Sequence, residues 1–197
     1  MILKNKTFQK NFIRVLFVLV LLQSAMVGIA YSRNIFCVNG NSYAAILISD
    51  DFITKYDLWV SPATYFAASP SWTHYFNNRK LKTRWYFRAK RSDLIEAVKD
   101  VNCVSIVLVG HGTRQSWDST DGSVTNFDLR HIINNTNKKA GEWFQLTCAT
   151  DEGLKHRLGE LVMAPDRVYS YQGKVNSCGM IFDAFSGFRY IKSKNST

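Results

Sequence analysis

The sequence contains no internal repeats and no low-complexity segments, which excludes a repeat array and a chain that is disordered throughout. Hydrophobic residues make up 46% and aromatic residues 14% of its 197 residues, enough to bury a full core. The length therefore predicts one domain, over residues 40–192, preceded by an N-terminal extension over residues 1–30.

Short motifs of several enzyme classes are also missing. No Gly-x-Ser-x-Gly segment is present, which argues against a serine hydrolase of the α/β class. The cysteines have no zinc-ligand spacing, and neither do the histidines His74, His131 and His156. We therefore expect neither a metal nor a cofactor. His131 falls on a predicted helix, where we expect it at the surface.

The first thirty residues contain no acidic residue. Basic residues precede an unbroken apolar run over Val15–Leu22, and the small residues Gly28-Ile29-Ala30 follow it. This order is typical of a secretory signal peptide, so we expect cleavage after Ala30 and a secreted or periplasmic domain. The alternative is an uncleaved membrane anchor over residues 15–31, at the short end for a span. In both cases the basic side stays in the cytoplasm, and the protein contacts the membrane only through this segment, and only if the segment is not cleaved.

The remaining positive charge is concentrated in one cluster with aromatic residues inside it: Arg79, Lys80, Lys82, Arg84, Arg88, Lys90 and Arg91, around Trp85, Tyr86 and Phe87. Such a patch can bind nucleic acid. No binding motif frames it, however, and an exported protein rarely meets nucleic acid. We favour a strand with a solvated basic face and expect no nucleic-acid partner.

Apolar runs alternate with amphipathic segments along the domain. The pattern predicts strands over 43–49, 82–87, 104–109, 142–147 and 167–171. The first predicted helix starts at Ser61-Pro62, with proline at its first helical position, and is interrupted at Ser69-Pro70. Further helices are predicted after a cap at Ser92, over 125–135, and finally through Phe185. Residues 113–122 are predicted to be a polar surface loop. The alternation predicts an α/β fold with a mostly parallel sheet flanked by helices.

Two of the predicted strands end in reactive side chains. Val104–Val109 runs into Gly110-His111-Gly112, and Trp143–Leu146 runs into Thr147-Cys148. Active sites of open α/β sheets form past the carboxyl ends of the strands. One strand end offers an imidazole and the other a thiol, which together can supply a base and a nucleophile.

A histidine-glycine pair after one apolar block and a cysteine after the next resemble the caspase-like cysteine peptidases, which include caspases, legumains, gingipains and clostripain. The resemblance covers residues 43–185 and implies a caspase-like three-layer sandwich. The caspase signature around the cysteine is absent, and Thr147 stands where that group usually has a small residue or an acid. The resemblance is therefore to the wider superfamily.

The resemblance also implies roles for individual residues. Cys148 is the nucleophile and His111 the proton donor to the leaving amine, while the backbone amides of Gly112 and Cys148 bind the oxyanion. The substrate is a protein or peptide. The pocket for the residue before the cut draws on the loop after the first strand and on segments near the cysteine, where Asp50, Asp51 and Asp151 are candidates for binding Arg or Lys. These three acids are equally consistent with ordinary loop or capping residues.

Alternatives to catalysis remain open. His111 is also consistent with a structural histidine bonded to backbone. In an oxidising compartment, two disulfides among Cys37, Cys103, Cys148 and Cys178 would consume the nucleophile, whereas one disulfide that excludes Cys148, or none, would leave it free. A catalytically inactive caspase-like binding module is then the second hypothesis. A third is a chelatase-like metal-binding protein, because Gly110–Arg114 resembles the strand-His-Gly start of those enzymes, although that motif leaves Cys148 unexplained.

Overall fold

A computed structural model of the chain describes residues 6–36, 38–49, 60–133, 138–147 and 157–170. The elements in chain order are α1 (Lys6–Phe36), β1 (Tyr43–Ile48), α2 (Val60–Asn77), β2 (Lys82–Phe87), α3 (Arg91–Lys99), β3 (Cys103–Val109), β4 (Gly112–Thr113), β5 (Ser116–Ser119), β6 (Gly122–Thr125), α4 (Asn126–Ile133), β7 (Trp143–Leu146) and β8 (Val168–Ser170). Two short 3₁₀ helices, Leu158–Leu161 and Pro165–Arg167, lie between β7 and β8.

The main sheet has five strands in the order β2-β1-β3-β7-β8, and every pair in it is parallel. The chain builds the sheet outward from β1 to β2, crosses back to β3, and then continues to β7 and β8. The strand order therefore reverses between β1 and β3, as in doubly wound α/β folds. All six residues of β1 are buried, as expected for a central strand covered on both faces.

Two apolar clusters cover the two faces of this sheet. Alternate residues of β1 divide between them: Ala45 and Leu47 face the cluster that includes Leu94 of α3 and Leu129 of α4. Ala44, Ile46 and Ile48 face the opposite cluster, which includes Ala68, Trp72 and Phe76 of α2. Helices on both faces of a parallel sheet make three layers, so the predicted α/β class with a mostly parallel, helix-flanked sheet is confirmed.

A second, small sheet follows β3, where we predicted a polar loop over residues 113–122. Strands β4, β5 and β6 form an antiparallel three-stranded sheet instead. Two inward-facing residues, Trp117 and Val124, are fully buried and join the core on the α3–α4 side. The prediction of a loop was wrong because turn-forming residues outnumber these two apolar ones, although Trp117 and Val124 alone suffice to bury the sheet's inner face.

Two predicted helix features also differ from the structure. Helix α3 begins at Arg91 rather than behind a Ser92 cap, because the Asp93 carboxylate accepts from the Lys90 backbone N–H at 2.7 Å. Helix α2 continues through Pro70 instead of being interrupted there. The predicted final helix and the predicted domain end at residue 192 lie outside the described residues.

Candidate functional site

Three parallel strands end side by side at the carboxyl edge of the main sheet. Ile48 of β1 pairs with Val109 of β3, and Val109 in turn pairs with Leu146 of β7. The reversal of strand order lies between β1 and β3, and ligands of doubly wound sheets bind in the crevice at that point. The edge that carries the predicted site residues is therefore the edge that the topology favours.

His111 lies two residues beyond Val109, just past β3, and is half-buried. Its carbonyl accepts a hydrogen bond from the backbone N–H of Asp118 on β5 at 3.0 Å. The small sheet thus fixes the backbone of His111 at the rim of the main sheet.

Cys148 lies outside the described residues, and so do Asp50, Asp51 and Asp151. The described part of the chain ends just before three of them: at Ser49, which precedes Asp50 and Asp51, and at Thr147, which precedes Cys148. Thr147, which precedes Cys148, is fully buried just past β7, and Ser49, which precedes Asp50, is fully buried just past β1. Cys148 is two residues beyond Leu146, the same offset that separates His111 from Val109.

Gly110 lets the ends of β1 and β3 approach each other closely. Its φ is +144°, a backbone conformation that side chains other than glycine rarely adopt, and an added Cβ would lie 2.1 Å from the Ser49 Oγ. The Ser49 backbone N–H also donates to the Val109 carbonyl at 3.0 Å. The positive φ and this contact with Ser49 both favour glycine at this position.

Gly112 is also at a position that requires glycine. Its φ is +145°, and an added Cβ would lie 2.4 Å from the Ser116 carbonyl oxygen of β5. The close approach that requires glycine is to the protein's own neighbouring strand.

The antiparallel pairing of β4 and β5 determines the direction of the Gly112 amide. Hydrogen-bonded pairs alternate along such a ladder, and the bond from the Asp118 N–H to the His111 carbonyl marks one of them. The next residue pair, Gly112 with Trp117, is then a non-hydrogen-bonded pair. The Gly112 N–H therefore points away from β5, on the outer side of β4, which is an edge strand of the small sheet.

Gln145 links the two strand ends, and the sequence analysis missed it. This residue is fully buried on β7, and its side-chain amide donates to the Ser116 carbonyl at 3.0 Å and to the Thr147 hydroxyl at 3.1 Å. A third bond runs to the Thr113 carbonyl. The segment after His111 is thus tied to the residue before Cys148. One polar side chain in the otherwise apolar run Trp143–Leu146 was the signal that could have revealed it.

An open cleft of about 490 Å³ adjoins the turn that Gln145 holds. Its walls come from the β4–β5 hairpin and from the start of α4: Thr113, Gln115, Ser116, Thr125, Asn126, Phe127 and Arg130. Phe127 is 71% exposed although it is a large apolar residue. The cleft thus offers an aromatic surface, Phe127, and a cation, Arg130. Its lining residue Thr113 directly follows Gly112 in the chain.

Cys103 carries a free thiol and is fully buried at the amino end of β3, opposite the site edge. Burial raises the pKa of this thiol to about 11. Because Cys103 is free, the four cysteines do not form two disulfides. The pairing that leaves Cys148 reduced is then Cys37 with Cys178, or none.

The other candidate site residues from the sequence are the possible metal ligands and the remaining histidines. Among the described residues, no group of three His, Cys, Asp or Glu side chains is placed to hold a metal ion. His131 is exposed on α4, as predicted, while His156 lies outside the described residues.

Several members of the basic cluster have partners within the fold. Arg79 contacts Glu142 at 3.3 Å, and Arg91 contacts Asp128 at 2.8 Å. The Arg84 guanidinium lies 3.7 Å from the centre of the Tyr43 ring. These contacts agree with the interpretation of the cluster as a structural, solvated face.

No family model and no curated protein matches the chain. The site is defined by its own geometry: the carboxyl edge of a doubly wound sheet, with His111 and Gly112 on one strand end and the approach to Cys148 on the next. Of the two groups that nucleophilic acyl transfer by a thiol needs, the described residues contain the imidazole, that of His111.

Proposed function

We propose that the protein is a cysteine endopeptidase with a caspase-like fold, in which His111 and Cys148 form the catalytic dyad. The register of β3 and β7 carries the proposal. Val109 and Leu146 pair directly, and the two proposed catalytic residues each follow at the same offset of two residues. Adjacent strands lie about 4.8 Å apart. Equal offsets from a paired position are what a dyad on two adjacent strand ends requires, and the sequence and the register together supply them.

In the proposed reaction, the Cys148 thiolate attacks the carbonyl carbon of the scissile peptide. The resulting tetrahedral intermediate collapses, the C–N bond breaks, and the amine leaves with a proton donated by His111. The thioester that remains is hydrolysed by water, which releases the acid product and restores the thiol. The atoms balance as one water consumed for each peptide bond cleaved.

The backbone amides of Gly112 and Cys148 are the proposed oxyanion donors. The non-hydrogen-bonded pairing of Gly112 with Trp117 supports this role, because it leaves the Gly112 N–H directed away from β5. A backbone donor aimed at a developing oxyanion contributes roughly 3–4 kcal/mol to transition-state stabilisation. This contribution requires a fixed backbone, which β5 provides.

Substrate preference and location follow from the same proposal. In the sequence, Asp50 and Asp51 follow Ser49, the last described residue past β1, and carboxylates there would favour Arg or Lys before the cut. The basic and then apolar N-terminal segment supports export of the domain, so the substrates would be proteins or peptides outside the cytoplasm. No nucleic-acid partner is proposed.

The test is hydrolysis of a peptide library that contains Arg, Lys, Asn and Asp, with circular dichroism to confirm folding. Cys148→Ala is expected to abolish cleavage, and His111→Ala to reduce it by roughly 10²–10⁴-fold. The double variant should be little worse than the more damaging single one. His131→Ala, which changes an exposed histidine on α4, is the matched control and should cleave at the wild-type rate.

Two results would contradict the proposal. Retained cleavage by folded Cys148→Ala protein would exclude the mechanism. Absence of cleavage by the wild type, together with an unreactive Cys148, would favour the inactive binding module instead.

A further inference from the structure

The N-terminal helix α1 has two parts with different surroundings. Every residue from Gln9 to Leu22 is exposed, and nearly all from Phe12 onward are large and apolar, on every side of the helix. From Gln23 onward, one face of the helix packs on α2, and Ala30 is 93% buried there. A helix that is apolar all round, with no protein around it, has the surface of a membrane segment.

Gln23 contacts α2 at a backbone carbonyl that a proline has deprived of its usual hydrogen-bond donor. Pro70 has no N–H, so the carbonyl of Phe66, four residues earlier, lacks the backbone donor that it would ordinarily have in an α-helix. The Gln23 side-chain amide donates to this carbonyl at 2.6 Å and to the Ala67 carbonyl at 3.2 Å. The polar side chain of α1 thus supplies a donor to the backbone group that Pro70 deprives of its usual one.

A second contact fastens the carboxyl end of α1 to the edge of the main sheet. Asn34 accepts a hydrogen bond from the Thr83 backbone N–H at 2.7 Å and donates to the Thr83 carbonyl at 3.0 Å. Strand β2 is an edge strand of the main sheet, so the Asn34 amide occupies the place of a neighbouring strand. Both contacts belong to the folded domain, although α1 begins in the segment expected to be removed.

We propose that α1 is retained in the mature protein as a membrane anchor, docked on the domain through Gln23 and Asn34, with its exposed part in the lipid acyl chains. Cleavage after Ala30 would remove Gln23 and leave the Phe66 carbonyl without its donor. It would also require the middle of a continuous helix to open at a buried residue. The Gln23 contacts and the continuity of α1 favour the anchor over the cleaved signal peptide, whereas the Asn34 contact is compatible with both.

Length and charge identify the bilayer as the occupant of the exposed surface. The fully exposed part, Gln9–Leu22, has 14 residues and is about 21 Å long, so about 9 Å of the docked part, from Gln23 onward, also lies within a hydrocarbon core of about 30 Å. Lys4, Lys6, Lys10 and Arg14 precede or begin it, so that end stays on the cytoplasmic side. Helix α2 carries no charged residue between Val60 and Thr73, which suits a helix held at the membrane surface. Gln23 is tolerable at membrane depth because its amide is already bonded.

The first experiment expresses the full chain in a bacterial host and separates membranes by alkaline carbonate extraction, followed by intact-mass measurement. The expected result is a carbonate-resistant pellet that contains the mass of all 197 residues. Protein that begins at Tyr31 in the soluble fraction would overturn the proposal. Neither result depends on peptidase activity, so this test is independent of the proposed function.

The second experiment tests the docking by thermal unfolding of the full chain in detergent micelles. Gln23→Leu should lower the melting temperature by roughly 2–4 °C, because the Phe66 carbonyl loses its donor. Leucine is more apolar than glutamine, so poorer insertion does not explain a loss. The matched control is Ser24→Leu, since Ser24 is exposed and bonds only within α1, to the Val20 carbonyl at 2.8 Å.

Pro70→Ala supplies the missing N–H to the Phe66 carbonyl from within α2. In that background, Gln23→Leu should no longer change the melting temperature. Equal melting temperatures for Gln23→Leu, Ser24→Leu and the wild type would overturn the docking of α1 on the domain.

Discussion

The side chain of Gln145, on β7, donates to the hydroxyl of Thr147 at 3.1 Å, and Thr147 lies just past that strand and directly before Cys148. The same amide nitrogen donates to the Ser116 carbonyl of the small sheet at 3.0 Å. Gln145 therefore couples the end of β7 to the sheet that fixes the backbone of His111 and Gly112. In the proposed peptidase it is a positioning residue, since it holds both halves of the dyad without touching the substrate.

Gln145→Leu keeps the buried volume and removes the donor, so we expect two measurable effects. The free energy of unfolding should fall by about 1–3 kcal/mol because buried carbonyls lose a partner. The kcat should fall by up to about 10²-fold with little change in KM, because the reacting groups are displaced while the substrate contacts remain. Denaturant unfolding and steady-state kinetics measure the two effects. The control is Gln115→Leu, in the turn between β4 and β5. A wild-type kcat in folded Gln145→Leu protein would exclude the positioning role.

Gly112→Ala and Gly122→Ala separate backbone strain from loss of the oxyanion donor. Both glycines have strongly positive φ, +145° and +137°, so both substitutions should cost stability on the order of 1–3 kcal/mol. Only at Gly112 does the new Cβ meet backbone, at 2.4 Å from the Ser116 oxygen, whereas at Gly122 the nearest atom is 4.0 Å away. We expect Gly112→Ala to reduce kcat by roughly 10²–10³-fold and Gly122→Ala to leave it unchanged. Equal kcat in the two variants would remove Gly112 from the oxyanion site.

The start of α4 should be sensitive to acid. The Asp128 carboxylate accepts from the Thr125 hydroxyl at 2.7 Å and from the Thr125 backbone N–H at 2.8 Å, and these bonds hold the pKa of Asp128 below its ordinary value. A lowered folded-state pKa stabilises the fold above the unfolded value of about 3.9, and this stability is lost as the pH falls through the folded-state pKa.

Asp128→Asn should therefore lower the free energy of unfolding at neutral pH by about 1 kcal/mol. The difference from the wild type should shrink as the pH falls below about 4. Chemical denaturation at a series of pH values measures it, with the exposed Asp166→Asn as the control. A difference that stays constant down to pH values of about 2 would contradict the assignment.

Local pattern predicted the strands well, because a run such as Tyr43–Ile48 must be buried on both faces and has few other stable arrangements. The order of the strands in the sheet depends on which segments, far apart in the sequence, pair with one another. The alternation of strands and helices indicated that the sheet is parallel, and this was the only guide to the strand order. The small sheet after β3 was missed because it rests on two buried residues, Trp117 and Val124, among turn formers.

The continuity of α2 through Pro70 also could not be predicted from the local sequence. Proline in a helix interior typically costs about 3 kcal/mol, so local sequence predicts an interruption. The compensation comes from Gln23, which lies 43 residues away from Phe66 in the chain. For the site, the positions of His111 and Gly112 at a strand end were predictable from the apolar run before them. Gln145 was not, because its role depends on a neighbouring strand.

The most direct test of the proposed dyad is alkylation of the native protein with iodoacetamide at mildly acidic pH, followed by peptide mapping. An ordinary thiol with a pKa of about 8.5 is almost wholly protonated there, so rapid labelling requires an activated thiolate. Cys103, whose pKa burial raises to about 11, serves as the internal reference and should react only after denaturation. The dyad predicts one rapid label, on Cys148, and a labelling rate lower by on the order of 10²-fold in His111→Ala. A Cys148 that is bridged, that reacts no faster than in denatured protein, or that reacts equally fast without His111 would contradict it.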